Sequence, residues 1–190
     1  MIYVVPIEPI DHRYTQQWYE NIPHQLVVKS GDDGSNIHTI DGDTLLSDTT
    51  QGGFLDFADT NWYKSSQIIK ISQMFSNKLI KSGDIFLVTD AWNPVIIAIR
   101  YMSELLHVPV EIHGIWHAGA YDPTDILGLK MTKPWPWHQE RAFFHACDYN
   151  YFATEFHANL FKTNLNIPTE YHNKIIISGQ PHEMLTDQVS

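Results

Sequence analysis

The pattern of apolar positions is clearest in the middle of the chain. Ile85–Val88 is a short continuous apolar run, as expected for a strand of a parallel sheet buried on both faces. A stripe at helical spacing follows it, consisting of Val95, Ile96, Ile99, Met102 and Leu106. Pro109 ends this helical segment, and a second apolar strand begins there. This order predicts a strand–helix–strand unit with a right-handed crossover.

Apolar segments on both sides of this unit predict further alternating elements. We expect strands at residues 2–6, 25–29, 149–153 and 174–177, and helices at 14–21, 64–81, 137–146 and 156–163. Pro23 marks the end of the first helix, and Gly83 the end of the helix at 64–81. Residues 31–60 contain a long loop or a hairpin, with arms at 37–40 and 44–46 around the Asp41-Gly42 turn. The alternation predicts one α/β domain over residues 1–190, doubly wound with a mostly parallel sheet.

Charge and composition narrow the classes of partner. The net charge is −10, and the first 60 residues hold ten acidic residues but only Arg13 and Lys29 as bases. Nucleic acid is therefore not favoured, because binding it needs a basic surface. The single Cys147 excludes an intrachain disulfide. The chain starts without a basic, apolar leader, and no apolar run approaches the ~20 residues of a membrane span, so we expect a cytoplasmic protein.

Polar side chains follow the two central strands at the point where each strand ends. Asp90, Trp92 and Asn93 come after the first, and His117 and Gly119 come after the second. Open parallel sheets bind ligands at the carboxyl ends of their strands. We therefore expect these two groups of residues to meet at one edge of the sheet.

From residue 2 to about 181, the order of features resembles the N-terminal domain of a GT-B glycosyltransferase. The similarity rests on a strand at 84–90, a helix, a strand ending in His117, a helix with Arg141, the segment 146–161, and a strand with a Gly turn at 174–181. In layout the chain is most similar to the tRNA-queuosine mannosyltransferase group. GT-B enzymes pair two Rossmann-like domains around a cleft. The resemblance thus implies a three-layer, acceptor-binding half of an enzyme that moves a sugar from a nucleotide-sugar donor to an acceptor hydroxyl.

The chain departs from the family pattern in two places. Pro6-Ile7-Glu8-Pro9 stands where many relatives place a Gly-Gly pair after the first strand. The family's donor-binding domain, with its acidic motif, has no counterpart in these 190 residues. We therefore expect a second donor-binding domain or subunit to supply the nucleotide sugar, and we expect the isolated chain to be inactive.

The candidate catalytic residues are His117 and Asp90. The resemblance implies that His117 faces the transferred sugar, where an imidazole suits hydrogen bonding to a hydroxyl near neutral pH. The alternative is a histidine that satisfies a loop carbonyl. Asp90 suits a base or a group that orients an acceptor hydroxyl. Its alternative is a helix cap near Asn93.

The candidate substrate-binding residues are expected at the same edge of the sheet as His117 and Asp90. They are Trp92, Asn93, Gly119, Thr154, Glu155, Glu8 and Arg13. Trp92 is either a stacking platform for a sugar or base, or a ring packed on the sheet rim. Thr154 and Glu155 contact substrate or simply cap a helix. Arg13 binds a phosphate or forms a surface ion pair.

A metal site is not expected, although the chain holds eleven histidines. His113 and His117 are four residues apart on an extended segment, so about 13 Å separates them, too far to share one metal ion. No cofactor is expected beyond the nucleotide sugar as co-substrate. Two other functions stay open: a non-catalytic Rossmann-like protein that binds a nucleotide or sugar, and a flavodoxin-like nucleotide-binding enzyme, for which Pro6-Ile7-Glu8-Pro9 is a poor phosphate loop.

Overall fold

The structure is a computed structural model that describes residues 1–11, 13–31, 33–44 and 56–180. Its strands are β1 (Ile2–Val5), β2 (Ile37–Thr39), β3 (Ile85–Val88), β4 (Glu111–Ile115), β5 (Tyr149–Phe152) and β6 (Ile175–Ile177). Its α-helices are α1 (Tyr14–Ser30), α2 (Phe57–Ser76), α3 (Val95–Leu105), α4 (Ile126–Lys130), α5 (Trp135–Ala146) and α6 (Glu155–Asn164). A 3-10 helix, Thr169–Lys174, precedes β6.

The strands form one sheet in the order β2-β1-β3-β4-β5-β6, and every neighbouring pair is parallel. From β1 the chain moves to β2 at one edge of the sheet. It then crosses back over β1 to β3 and continues through β4 and β5 to β6 at the opposite edge. Right-handed crossovers then put α1 on one face and the helices α2, α3, α5 and α6 on the other. Ring contacts agree, since Phe75 of α2 stacks on Phe86 and Phe161 of α6 packs on Phe152. The predicted Rossmann-like α/β fold is confirmed.

The two faces of the sheet are covered unequally because α1 lies toward the β2 edge. Phe86 and Val88, on the face that packs against α2 and α3, are fully buried. Ile85 and Leu87 on the opposite face are only half-buried, so the expectation of a strand buried on both faces was wrong. Together with residues of α1 and β4, they line an apolar groove of about 770 Å³.

The first helix is longer than predicted. α1 continues through Pro23 to Ser30, so the strand expected at 25–29 does not exist. Pro23 lacks an N–H and disfavours a helix interior. The buried face nevertheless continues at helical spacing, because Trp18 and Ile22 pack inward and Leu26 lines the groove one turn later. Gly31, with φ of +66°, ends the helix in the left-handed region.

Two other boundaries also differ from the prediction. α2 begins at Phe57, where the Asp56 side chain accepts from two backbone amides, and it ends at Ser76 instead of 81. Gly83 is a turn residue whose N–H donates to the Pro109 carbonyl. Residues 37–39 of the expected hairpin form a parallel edge strand on β1. The rest of that hairpin and of the long loop falls partly on residues 45–55, outside the described residues.

Candidate functional site

The candidate site lies where the carboxyl ends of β1, β3 and β4 meet. The chain leaves β1 and β3 toward opposite faces, so a crevice opens between their ends. The Ile7 amide donates to Thr89 Oγ1 at 2.8 Å, which ties the segment after β1 to the segment after β3. The Ala91 amide donates to the Ile115 carbonyl at 2.8 Å and ties β3 to β4. These bonds hold the residues that follow the three strands in fixed positions.

Asp90 is a carboxylate at the end of β3 that is held from two sides. Its Oδ2 accepts from Lys64 Nζ of α2 at 2.7 Å, and its Oδ1 accepts from the Trp92 amide at 3.1 Å. Burial on its own would raise the pKa of Asp90, but Lys64, His117 and these hydrogen bonds outweigh burial and lower it. Asp90 is therefore ionised at neutral pH. Asp90 does not cap α3, which was its alternative: its bond to the Trp92 amide closes a local turn, and it is Asn93 that accepts from the Val95 amide. Lys64 provides a charge partner that the sequence analysis missed.

His117 follows β4 and has its two ring nitrogens in different environments. Nε2 donates to the Thr89 carbonyl, so this nitrogen carries the proton. Nδ1 lies 3.2 Å from the hydroxyl of Tyr14, and the ring packs on Trp18 with 4.3 Å between ring centroids. Burial lowers the pKa of His117, and the Asp90 carboxylate offsets only part of this effect. A neutral imidazole with an unprotonated Nδ1 results.

The structure thus brings His117 and Asp90 to the same edge, close enough for each to shift the pKa of the other. His117 satisfies a loop carbonyl, which was its structural alternative. That bond fixes the tautomer and leaves Nδ1 able to accept a proton from a hydroxyl. Burial, and then the Asp90 charge, raise the pKa of the Tyr14 hydroxyl, so Tyr14 is the donor in its bond to His117.

A second carboxyl group, Glu140 of α5, supports the loop that follows β4. Its Oε1 accepts from Trp92 Nε1 at 2.9 Å and from the Ala120 amide, and Oε2 is buried without a hydrogen-bond partner among the described residues. Burial raises the pKa of Glu140 to about 7. Gly119 is required here because a Cβ would lie 2.4 Å from the Tyr121 ring and 2.6 Å from Glu140 Oε1. The absence of a side chain at Gly119 therefore allows Tyr121 and Glu140 to pack closely against its backbone.

Beside this loop, α6 adds a histidine that sequence reasoning missed. The Tyr121 hydroxyl is hydrogen-bonded to His157 Nε2. Burial lowers the pKa of His157. Thr154, the N-cap of α6, accepts from the His157 amide at 3.1 Å, and Glu155 is exposed in the first turn. Thr154 thus serves as a helix cap, the alternative considered for it.

The remaining candidates lie around the same edge in different roles. Asn93 is buried: it donates to Gln67 and accepts from the Val95 amide, so it supports the start of α3 from beneath the surface. Glu8 accepts from Thr60 Oγ1 at 2.8 Å, which joins the segment after β1 to α2. Arg13 directly precedes α1, next to Tyr14.

Trp92 is only partly exposed. Its ring lies edge-to-face against Trp135, with 6.4 Å between centroids, and against Phe143. Its indole N–H is used by Glu140. Trp92 therefore packs on the rim of the sheet, and the more exposed ring beside it is Trp135.

Lys64 could have been found from the sequence by its helical position. It lies seven residues before the buried Ile71, so both side chains point to the same face of α2. A lysine in line with a buried stripe in the amino-terminal half of a helix is a candidate partner for a carboxylate at a strand end. Glu140 and His157 gave no such local signal.

Across residues 1–11, 13–31, 33–44 and 56–180, no group of three or more His, Cys, Asp or Glu side chains is arranged to hold a metal ion. None of the described helices is both long and apolar enough to cross a membrane. Comparison with models of known protein families and with curated protein sequences finds no match for this chain.

Proposed function

We propose that this chain is the acceptor-binding, N-terminal half of a glycosyltransferase of GT-B type, with a nucleotide sugar supplied by a second domain or subunit. The observation that carries the proposal is the state of His117. Its Nε2–H is fixed on the Thr89 carbonyl, and its basic Nδ1 already faces a hydroxyl group. This arrangement suits the removal of a proton from an acceptor hydroxyl.

The proposed reaction follows from these positions. The acceptor hydroxyl takes the place of the Tyr14 hydroxyl and gives its proton to His117 Nδ1. The acceptor oxygen forms a bond to the anomeric carbon of the donor sugar, whose bond to the diphosphate breaks. The nucleoside diphosphate leaves with the bonding electrons. The ionised Asp90 stabilises the imidazolium that forms, as a carboxylate beside a catalytic histidine does.

The location of the site also supports the proposal. His117 and Asp90 follow β4 and β3 at the carboxyl edge of an all-parallel sheet, which is the edge where open α/β sheets bind ligands. The surroundings are partly shielded from water, since only 15% of the Asp90 side chain is exposed. Shielding strengthens the effect of a carboxylate on a neighbouring charge.

A non-catalytic protein that binds a nucleotide or sugar is the second candidate. The observation that favours it is the engagement of Asp90, whose two oxygens are both occupied by Lys64 and the Trp92 amide. A carboxylate fixed in this way suits a rigid binding surface that needs no proton transfer. The two candidates differ in one measurable respect, which is turnover.

The test is release of nucleoside diphosphate from a panel of nucleotide sugars in the presence of acceptors. We expect none from the 190-residue chain by itself, and turnover when the donor-binding polypeptide is present. His117→Gln is then expected to lower the rate by about 10²–10⁴-fold, the usual contribution of a general base. The control is His145→Gln, an exposed histidine on α5. Turnover by the chain alone, or a full rate with His117→Gln, would refute the proposal.

A further inference from the structure

Five large aromatic side chains are exposed in first helical turns; one, Phe156, follows β5 in α6, and the other four lie around the loop that follows β4. Those four are Tyr14 (39% exposed), Phe57 (47%), Trp135 (52%) and Trp137 (41%), and we call them the aromatic rim. Each lies in the first turn of α1, α2 or α5. In a parallel α/β sheet, helices that run back along the strands begin at the carboxyl edge, so the aromatic rim and the candidate site occupy the same end of the molecule.

Contacts of each ring place the aromatic rim next to the candidate site. Tyr14 stacks on His117, with 5.7 Å between ring centroids, and Trp135 lies against Trp92. The other two rings border residues 118–134. Trp137 Nε1 donates to the Ala120 carbonyl at 3.0 Å, and the Lys130 ammonium lies 5.7 Å from the centre of the Phe57 ring.

The charge around the aromatic rim is negative. The described residues of the strand-end loops and first helical turns carry ten acidic side chains and three basic ones, and Lys64 and Lys70 of α2 neutralise two of the acids, Asp90 and Asp43. The acids are Glu8, Asp11, Asp41, Asp43, Asp56, Asp59, Asp90, Asp122, Asp125 and Glu155, and the bases are Arg13, Lys130 and Lys133. A polyanion such as RNA, or a sulfated or phosphorylated glycan, would be repelled here. An uncharged ligand carries no such cost.

Exposed indole, phenol and phenyl rings offer flat apolar faces. Sugar rings are complementary to them, because one face of a pyranose presents C–H groups while its hydroxyls point outward. Carboxylates accept hydrogen bonds from those hydroxyls. Rings and carboxylates occur together around the candidate site.

From this combination we infer that the aromatic rim binds a neutral carbohydrate, which is the acceptor of the reaction. The inference rests on the proposed function for the identity of the bound sugar as acceptor. The binding itself rests on the exposed rings and on the acidic surroundings. If the inference is correct, neither a charged acceptor nor a protein surface binds to the aromatic rim.

The chain provides a matched control in Trp62 of α2, which is 50% exposed, like Trp135. Thr60 and Lys64 of the same helix contact Glu8 and Asp90, so their side of α2 faces the candidate site. Trp62 is two residues from each of them and therefore lies about 200° around the helix. Its ring points away from the candidate site.

The test is calorimetric titration of the folded chain with neutral gluco-, manno- and galacto-oligosaccharides of four to six units. A sulfated oligosaccharide and a short RNA hairpin serve as polyanionic probes. At least one neutral series is expected to bind, and Trp135→Ala and Phe57→Ala are each expected to weaken it about tenfold, as loss of a stacking ring does. Trp62→Ala should bind as the unmodified chain does, with circular dichroism confirming that all variants fold.

Several results would overturn the inference. These are no binding of any neutral series at millimolar concentration, equal losses for Trp62→Ala and Trp135→Ala, or tighter binding of a polyanion. Transfer to a polyanionic acceptor that depends on His117 would overturn it while leaving the proposed function intact. Neutral oligosaccharide binding through the aromatic rim, with an unchanged transfer rate in His117→Gln, would instead sustain the inference and refute the proposed function.

Discussion

Lys64 donates to Asp90 with 2.7 Å between Nζ and Oδ2, and the two side chains are only 13% and 15% exposed. The pair joins α2 to the end of β3 across a separation of 26 residues. Lys64 Nζ also donates to the Trp92 carbonyl at 2.6 Å. The position of the Asp90 carboxylate therefore depends on a lysine from another element of the fold.

Replacing this lysine is expected to destabilise the fold. Lys64→Met removes the charge partner and leaves the Asp90 carboxylate nearly buried and uncompensated. We expect the free energy of unfolding to fall by about 3 kcal/mol, as when one partner of a buried pair is removed. The measurement is urea denaturation at pH 7.

Lys70→Met provides the control on the same helix. Lys70 pairs with Asp43, but those side chains are 38% and 58% exposed. An exposed pair contributes little, so this variant should lose no more than about 1 kcal/mol. Equal losses for the two variants would show that burial of the Lys64–Asp90 pair does not matter.

Glu140 is expected to make the stability depend on pH. Burial raises its pKa from 4.5 to about 7 in the folded protein. Between these values the folded state binds more protons than the unfolded state, so the stability that Glu140 contributes is complete below pH 4.5 and is lost as pH rises through 7. At about 1.4 kcal/mol per pKa unit, the loss is about 3 kcal/mol.

Glu140→Gln removes this titration while keeping an acceptor for Trp92 Nε1 and the Ala120 amide. Relative to the unmodified chain, the variant is expected to gain stability progressively from pH 5 to pH 8. Urea denaturation at both pH values measures the difference. A constant difference between the two proteins across this range would contradict the prediction.

Gly119→Ala is expected to disrupt the loop between β4 and α4. The added Cβ would lie 2.4 Å from Tyr121 Cε1 and 2.6 Å from Glu140 Oε1, and both neighbours are buried. We expect a loss of about 2–3 kcal/mol, the upper part of the range for overpacking. If the free energy of unfolding fell by less than about 0.5 kcal/mol in thermal or urea unfolding, the loop would have adjusted to the added Cβ and the prediction would be wrong.

Tyr14→Phe is expected to raise the pKa of His117. The phenyl ring retains the stacking contact, but the hydroxyl that donates to Nδ1 and stabilises the neutral imidazole is lost. The matched control is Tyr19→Phe, which removes a hydroxyl of the same helix that donates to Asp41. NMR titration of the histidine side chains should show a shift of His117 in the first variant and none in the second.

The central part of the fold was predictable because its local signals agree. The apolar run at Ile85–Val88, the stripe in α3 and the residues that follow each strand all indicated a parallel unit, and this fixed the edge at which Asp90 and His117 meet. The prediction that Asp90 and His117 lie at one edge rested on the topology of the sheet and not on a sequence motif. Parallel strands necessarily end at the same edge of the sheet.

The errors lie where tertiary packing overrides a local signal. Pro23 normally ends a helix, but the packing of Trp18, Ile22 and Leu26 against the sheet continues α1 past it. Ile85 and Leu87 of β3 are only half-buried because the order of the strands places α1 toward the β2 edge of the sheet. No residue within β3 indicates that order. Glu140 was missed because its partner Trp92 lies 48 residues away.

The measurement that tests the central claim most directly is the protonation state of the His117 ring, read from the ring nitrogen shifts of the ¹⁵N-labelled chain between pH 5 and 8. We predict the neutral tautomer with the proton on Nε2 and none on Nδ1 at pH 7, and a pKa below the ordinary value of 6.5. A proton on Nδ1 at pH 7, or a pKa above 6.5, would show that His117 cannot accept a proton from a bound hydroxyl in the way proposed.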